Sequence, residues 1–385
     1  MAWEVKKLGE VLKLEYGKPL DKNKRKLNGK YPVYGANGEK DRSDEYYYDK
    51  PSIIVGRKGS AGEINLTEEK FWPLDVTYFV TFDNKKYDLY FIYHLLSELN
   101  LPSLAKGVKP GINRNEVYSI NVRLPPLSEQ KRIIAILDGA FKKISKAKEN
   151  AEKNLKNSKE IFESYSQSVF ENKGENWEEK RIEELSEKKD AIVSGPFGSN
   201  LKVEHYKEEG IPIIRLQNIG KGYFINKDIK YISEEKAEEL KYHSFVSGDI
   251  VLAKLGIPIG KTCRVPDDFK QGIVVADVVR IRLDKNMVDY DFLEYYLNTN
   301  LSVSQLNKNV SGATRPRVNL SDVRNIKITL PSIEEQKQIV SKLDSFLKET
   351  KQLESIYSQK LSSLEKLKQS ILQKAFKGEL TEVSA

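Results

Sequence analysis

The chain says the same thing twice. The run LPPLSEQKRIIAILD at 124–138 returns as LPSIEEQKQIVSKLD at 330–344, with eight of the fifteen paired positions identical, which marks an internal repeat. At the same offset of 206, Asn113, Val117, Ile120 and Val122 pair with Asn319, Val323, Ile326 and Ile328, and Val169-Phe170 with Ala375-Phe376. The opening segment repeats too, Trp3-Glu4-Val5 answering Trp177-Glu178-Glu179, but at an offset of 174, so the second copy carries 32 additional residues ahead of Asn319. Two copies that share one half and differ in the other imply a single scaffold presenting two distinct surfaces.

Length and composition bound the class. With 385 residues, 39% of them hydrophobic, there is material for two globular cores plus extended elements. The start, MAWEVKKLGEVLKLEY, has no apolar core of signal-peptide length, and no apolar run approaches eighteen residues, so a soluble cytoplasmic chain with no membrane contact is expected. A single cysteine, Cys263, has no partner for an internal disulfide, and His94, His205 and His243 lack the spacing of zinc ligands, so no metal is expected. The net charge of +8 is compatible with a polyanionic partner, although a modest lysine excess is common on its own.

Two stretches read as long helices. Residues 128–172 contain no proline and place Leu137, Phe141, Ile144, Ala151, Leu155, Phe162, Tyr165 and Val169 on steps of three, four and seven, a heptad seam. The second copy repeats the seam with Leu343, Leu347, Thr350, Tyr357, Leu361, Leu364, Ile371 and Ala375. Ser332 and Glu335 have the spacing of a capping box, and Gly378 stands where a helix ends. About 43 helical residues would make a rod roughly 65 Å long. Each apolar stripe needs a cover, and the other copy is the nearest, which predicts a two-stranded coiled coil. Lys148 and Glu354 interrupt the two seams at equivalent places; they are compatible with either orientation of the pair, and equally with side chains that leave the seam.

The remaining segments alternate short β-rich runs with glycine, asparagine and proline turns. Strands are expected at Ser52–Val55, Thr77–Val80, Ile211–Ile214, Asp249–Leu252 and Val278–Ile281, and shorter helices near Tyr87–Leu99 and Tyr290–Leu306. The organisation is therefore globule, rod, globule, rod: a mixed α/β domain at 1–127, a helix at 128–172, a second α/β domain at 173–332, a second helix at 333–380 and a tail at 381–385. The fold class is α+β, with a pseudo-twofold internal repeat.

No catalytic constellation is legible. There is no [DN]-P-P-[FY] tetrapeptide of the kind adenine methyltransferases use, which Gly195-Pro196-Phe197-Gly198 only resembles. Gly256-Ile257-Pro258-Ile259-Gly260-Lys261-Thr262 has three residues between its glycines rather than the four of a P-loop, and Pro258 lacks an amide. It reads as a turn between strands, the second copy of Gly56–Gly62. What the globules do carry is cationic and amide side chains on glycine-rich turns. In copy one these are Arg57-Lys58-Gly59-Ser60 and Ala105–Arg114; in copy two, Ser194–Lys202, Arg215-Leu216-Gln217-Asn218 and Ser311–Asn319. Arginine can clamp guanine through two hydrogen bonds and asparagine or glutamine adenine, while lysine and backbone amides hold phosphates. Any one such residue is as well explained as solvated surface; the matching placement in both copies favours DNA.

The assembled motifs resemble the specificity subunits of type I restriction-modification enzymes. The resemblance rests on the LPP-x-x-EQ and LPS-x-x-EQ runs leading into long helices, on GPFGSNLK at 195–202, IPIIRLQNI at 211–219, YPVYGANG at 31–38 and ILQKAFKGEL at 371–380, and covers nearly the whole chain. It implies two target recognition domains, each reading one half of a split double-stranded DNA sequence, and an antiparallel helical spacer that docks methyltransferase subunits. It implies no catalysis and no cofactor on this chain. S-adenosylmethionine, ATP and magnesium would belong to partners, namely two methyltransferase subunits and ATP-dependent restriction and translocase subunits. Carried onto this sequence, the DNA-contacting candidates are Arg57, Lys58, Lys109, Asn113 and Arg114 in the first domain. In the second they are Lys202, Arg215, Asn218, Lys254, Arg315 and Arg317. Asn113 and Asn319 have a second reading, as caps of the elements that follow them.

A reading from a different class treats the helices as an assembly hub and the globules as protein-binding modules without sequence-specific DNA binding. Steep weakening by salt distinguishes DNA binding from a mostly apolar protein interface. A nuclease or methylase complete in one chain is the least supported reading.

Overall fold

The computed structural model describes residues 3–310 and 316–380. Two segments do form 45-residue helices, Leu127–Glu171, within one residue of the expected 128–172, and Ile333–Lys377, which starts where expected and ends three residues before 380. The chain divides into two compact units, Met1–Glu152 with Ser358–Ala385, and Lys153–Tyr357. Each unit thus combines one globule with a portion of both long helices.

In the first unit, Leu12–Tyr16, Thr77–Phe82, Ser52–Gly56 and Ile64–Thr67 form, in that spatial order, an antiparallel sheet. A smaller sheet joins Gly38–Ser43, Tyr31–Gly35 and Trp72–Pro73. A two-stranded ribbon pairs Glu4–Lys7 with Asn121–Leu124. The core collects Val55, Val80, Phe91 and Leu96 with Ile133, Ile134 and Leu137 of the first long helix and Ala375 and Phe376 of the second. Phe91 lies 5.1 Å from Phe376 between ring centroids, and Lys368 covers the ring of Phe141. Early residues of one helix therefore meet late residues of the other.

The second unit repeats the plan. Ile192–Ser194, Val278–Ile281, Ile250–Ala253 and Thr262–Arg264 make the antiparallel sheet, and a mixed sheet orders Lys230–Ile232, Ile211–Ile214, Gln271–Val274 and Ser244–Val246. The ribbon pairs Glu178–Arg181 with Lys327–Leu330. Its register repeats that of the first unit: Glu4 faces Leu124, and Glu178 faces Leu330. The offsets of 174 and 206 are thus joined in a single strand pair. Phe346 packs on Phe162 and Tyr165, while Phe170, Ile339 and Leu343 enter one core. Late residues of the first helix meet early residues of the second, so the two segments are antiparallel in this unit as well.

Two of the buried hydroxyls on the long helices, those of Ser158 and Thr350, fall in the apolar stripe. Ser158 donates to the carbonyls of Asn154 and Leu155, and Thr350 to those of Phe346 and Leu347, so each is satisfied within its own helix. At the second helix start, Ser332 accepts the Glu335 N–H as expected, but the Glu335 carboxylate turns to the Trp177 indole at 3.0 Å and leaves the capping box half made. Gly378 adopts φ +85, and the Glu379 N–H reaches the Lys374 carbonyl, closing the helix as a glycine C-cap does. The helix expected over Tyr290–Leu306 is two, Tyr290–Leu297 and Asn300–Asn307. Asn298 ends the first by exchanging hydrogen bonds with the backbone of Thr262.

Candidate nucleic-acid interface

The first unit builds one cationic edge from two distant turns. The Lys58 backbone bridges to Gly111, the Gly59 N–H donates to the Pro110 carbonyl at 2.8 Å, and the Ile112 N–H donates to the Arg57 carbonyl at 3.1 Å. These bonds bring Arg57, Lys58, Lys109, Asn113 and Arg114 together. Lys58 and Lys109 are exposed, and Arg57 and Arg114 are half-buried. The Gly56–Gly62 turn requires its last glycine: φ is +85 there, and a Cβ would stand 2.4 Å from the Pro102 nitrogen.

The geometry of this edge centres on Tyr16, a residue the sequence reading passed over. The guanidinium of Arg57 lies 5.4 Å and that of Arg114 5.0 Å from the Tyr16 ring centroid. Arg57 is tied down further, donating from Nε and Nη2 to the Asp75 carbonyl at 3.1 and 2.6 Å. Beneath them, Tyr16 meets Tyr78 edge to face at 5.1 Å. Burial, then the neighbouring Tyr16, pushes the Tyr78 hydroxyl up to about 12. Asn113 caps the helix Arg114–Tyr118 by accepting the Asn115 N–H, so its side-chain oxygen serves the structural reading.

The second unit places an equivalent edge by the same bonds. The Val318 N–H donates to the Lys254 carbonyl, the Gly256 N–H to the Pro316 carbonyl, and Leu255 bridges to Arg317. Lys254 therefore occupies the place of Arg57, and the turn that resembled a P-loop links the strands ending at Ala253 and beginning at Thr262. Arg317 pairs with Asp277. The Lys254 amine is lowered, first by burial and then by Arg317, against the opposing pull of Asp277. A cavity of about 490 Å³ opens among Leu216, Gln217, Gly256, Ile257, Lys261 and Pro316. Ile257 stands 82% exposed beside it. Gln217 and Lys261 add an exposed amide and a cation from turns the sequence reading named but did not carry onto the list of DNA-contacting candidates. Only burial and position, which one sequence does not display, distinguish them from other loop residues.

Four other candidates fare differently. Arg215 is engaged with Asp228, which it holds below the usual carboxylate range, and lies 5.9 Å from the Tyr206 ring. Lys202 is exposed and pairs with Glu204 at 3.4 Å. Arg315 lies outside the described residues. Asn218 corrects the expectation of a DNA contact: it is wholly buried, its amide donates to the Ile225 and Lys227 carbonyls, and its oxygen accepts the Arg215 N–H. Its hydrogen-bonding groups are spent on its own turn, leaving none to present to a base. Asn319 also acts as a helix cap, its own N–H held by Asp322.

The GPFGSNLK segment has a structural role at its first glycine. The Gly195 N–H donates to the Val278 carbonyl as the Gly17 N–H donates to that of Thr77. A Cβ at either would lie 2.1 Å from a carbonyl oxygen, of Val275 or of Leu74. Between these glycines and the cationic turns the copies diverge most: Gly195 and Lys254 are 59 positions apart, and Gly17 and Arg57 only 40.

Among the described residues no group of three or more histidine, cysteine, aspartate or glutamate side chains is placed to hold a metal, and no helix is long and apolar enough to cross a membrane.

Two copies of one mixed fold, each with a cationic loop edge, define a protein built on an internal structural repeat. Residues 2–155 and 174–363 match the model of the type I restriction modification DNA specificity domain, and the chain belongs to that family. It is similar to the type I restriction enzyme MjaVIII specificity subunit of Methanocaldococcus jannaschii, 28% identical over 371 residues, covering 89% of this chain and 85% of the relative. It is also similar to the EcoBI specificity subunit of Escherichia coli, 26% identical over 404 residues, covering 95% and 80%. The fold is shared with a chain in a structure on complex assembly and conformational transition of the type I R-M system, at TM-score 0.74 and 18% identity over 98% of both chains. The HsdS subunit from Thermoanaerobacter tengcongensis shares it at TM-score 0.60 and 18% identity, over 98% of this chain and 97% of that one. As a family member, the chain is a sequence-specific DNA-recognition subunit of the type I restriction-modification class.

Proposed function

We propose that each unit reads one half of a split double-stranded DNA target, and that the two long helices pair as an antiparallel coiled coil that sets the gap between the halves. The observation that carries this reading is the recurrence of a cationic turn at the same structural place in both units, Arg57-Lys58 in one and Lys254 with Arg317 in the other. Arg57, Lys58, Lys109 and Arg114 face the first half-site; Lys254, Arg317, Arg215 and Lys202 serve the second. Divergence in length between Gly195 and Lys254 supports different half-sites. The chain performs no chemistry and binds no cofactor. It works in the cytoplasm with two methyltransferase subunits docked on its helices, and with restriction and translocase subunits. S-adenosylmethionine, ATP and magnesium are used by those partners.

The reading is tested on the chain purified with its companion methyltransferase. Binding to a cognate duplex should weaken steeply with salt, each phosphate contact adding about 0.9 to the slope of log K against log salt. Inserting one heptad into both helices should widen the unread gap by about three base pairs, because seven residues rise about 10 Å. Salt-insensitive binding would favour a protein-interaction scaffold, and an unchanged gap would remove the helices as the ruler.

A further inference from the structure

The Tyr16 ring is a feature that the assignment of DNA-contacting cations does not absorb. It ends the strand Leu12–Tyr16, is 47% exposed, and has two guanidiniums over it. The two are not alike. Arg57 is fastened to the Asp75 carbonyl through Nε and Nη2. Arg114 makes no hydrogen bond or ion pair among the described residues, so its donor fork is held by the ring face alone and stays open. A guanidinium stacked on an aromatic face keeps its in-plane donors available, and holding it there beforehand removes much of the rotamer entropy that binding would otherwise cost. A planar fork offered in this way matches the paired acceptors O6 and N7 of guanine.

We propose that Tyr16 is a positioning residue for DNA recognition: its ring holds Arg114 ready to read a guanine in the first half-site, with Arg57 as the fixed cation beside it. The inference rests on the reading of unit 1 as a half-site reader. It is confined to that unit, because the second copy has Ser194 at the place of Tyr16, Lys254 at that of Arg57 and Leu320 at that of Arg114. The second half-site must be read by another device.

The test uses the full chain co-expressed with its companion methyltransferase in a methylation-free host, with methylated sites mapped genome-wide. Tyr16→Phe keeps the ring and should keep the wild-type motif. Tyr16→Ala and Arg114→Lys, which keeps the charge but loses the fork, should each lower the preference for G·C at one position of the first half by roughly five- to a hundredfold. The second half should stay unchanged. A first half-site read at wild-type preference by either Tyr16→Ala or Arg114→Lys overturns the proposal, as does equal relaxation of both halves. If Tyr16→Ala does not accumulate as folded protein, Arg114→Lys decides by the same criterion, since that side chain has no other polar partner to lose. A wild-type chain that yields no split motif overturns the half-site reading and this proposal with it, an outcome distinct from a split motif that ignores the ring.

Discussion

Gln130 accepts a hydrogen bond from the backbone N–H of Asp88 at 2.9 Å. In the second unit Gln336 accepts that of Asp289 at 2.8 Å. Both glutamines are buried, and their amides donate onward, Gln130 to the Pro125 and Lys86 carbonyls and Gln336 to those of Pro331 and Met287. The glutamine of the repeated LPx-x-x-EQ run thus pins the start of each long helix to the turn that opens an earlier helix of its globule. Asp88 and Asp289 are the N-caps of Leu89–Glu98 and Tyr290–Leu297.

Gln130→Leu should therefore strand one part-buried donor and two carbonyls and destabilise the first unit by about 1–3 kcal/mol. Gln336→Leu should do the same to the second. Thermal unfolding of each variant, followed by calorimetry, measures the loss. A change within 0.5 kcal/mol, the typical scatter of surface substitutions, would mean that this bond does not hold the junction.

Asn218→Ala separates fold from recognition. Removing an amide that satisfies two carbonyls and an N–H of its own turn should cost about 1–3 kcal/mol in denaturant unfolding. Arg114→Lys should leave the unfolding midpoint within error. If Asn218→Ala were neutral to stability but altered the second half-site, its role as a buried brace would be wrong.

Glu294 gives a pH signature. It borders a cavity of about 440 Å³ in the second unit with Phe162, Tyr223 and Tyr295, and burial, then nearby Asp291, raises its carboxyl from 4.5 to about 7. Between those values the folded chain holds a proton that the unfolded chain has lost. The stability contribution is complete below pH 4.5 and disappears as pH rises through 7. Glu294→Gln should remove this slope and make the protein more stable at pH 8 by about 1–2 kcal/mol, less than the full shift implies because the group is partly exposed. Unfolding midpoints of both proteins from pH 5 to 8 measure it, and parallel profiles would contradict it.

Cys263 is wholly buried, and burial pushes its thiol up to about 12. A buried protonated thiol is a poor nucleophile. A chromogenic disulfide reagent at pH 8 should label native protein no faster than the second unit opens, and react at once in denaturant. Stoichiometric labelling of the native chain within seconds would contradict this burial.

The long helices were legible because a heptad stripe sustained over six turns or more is a strong periodic signal, and their ends because proline and Gly378 punctuate them. The break at Asn298 was missed although Asn298 and Thr299 are cap-forming residues; its second support, a bond to Thr262, 36 positions away, is not visible in sequence. The cationic turns could be found because glycine-rich loops with arginine stand out. Which members act together could not, since the bond from Ile112 to Arg57 joins segments remote in sequence. Tyr16 drew no reading, because its contact with Arg114 joins residues far apart in sequence. Asn218 misled for the opposite reason, because an amide on a turn reads the same whether it faces solvent or braces the chain from inside.

The central claim, that the two units read two half-sites independently, is tested most directly by a domain exchange. Residues 173–331 would be replaced by the corresponding segment of another family member, and methylation mapped for parent and chimera co-expressed with the same methyltransferase. The account predicts a split motif in the parent, and in the chimera a change in one half only, with the gap and the other half retained. A contiguous motif, or a change in both halves, would contradict it.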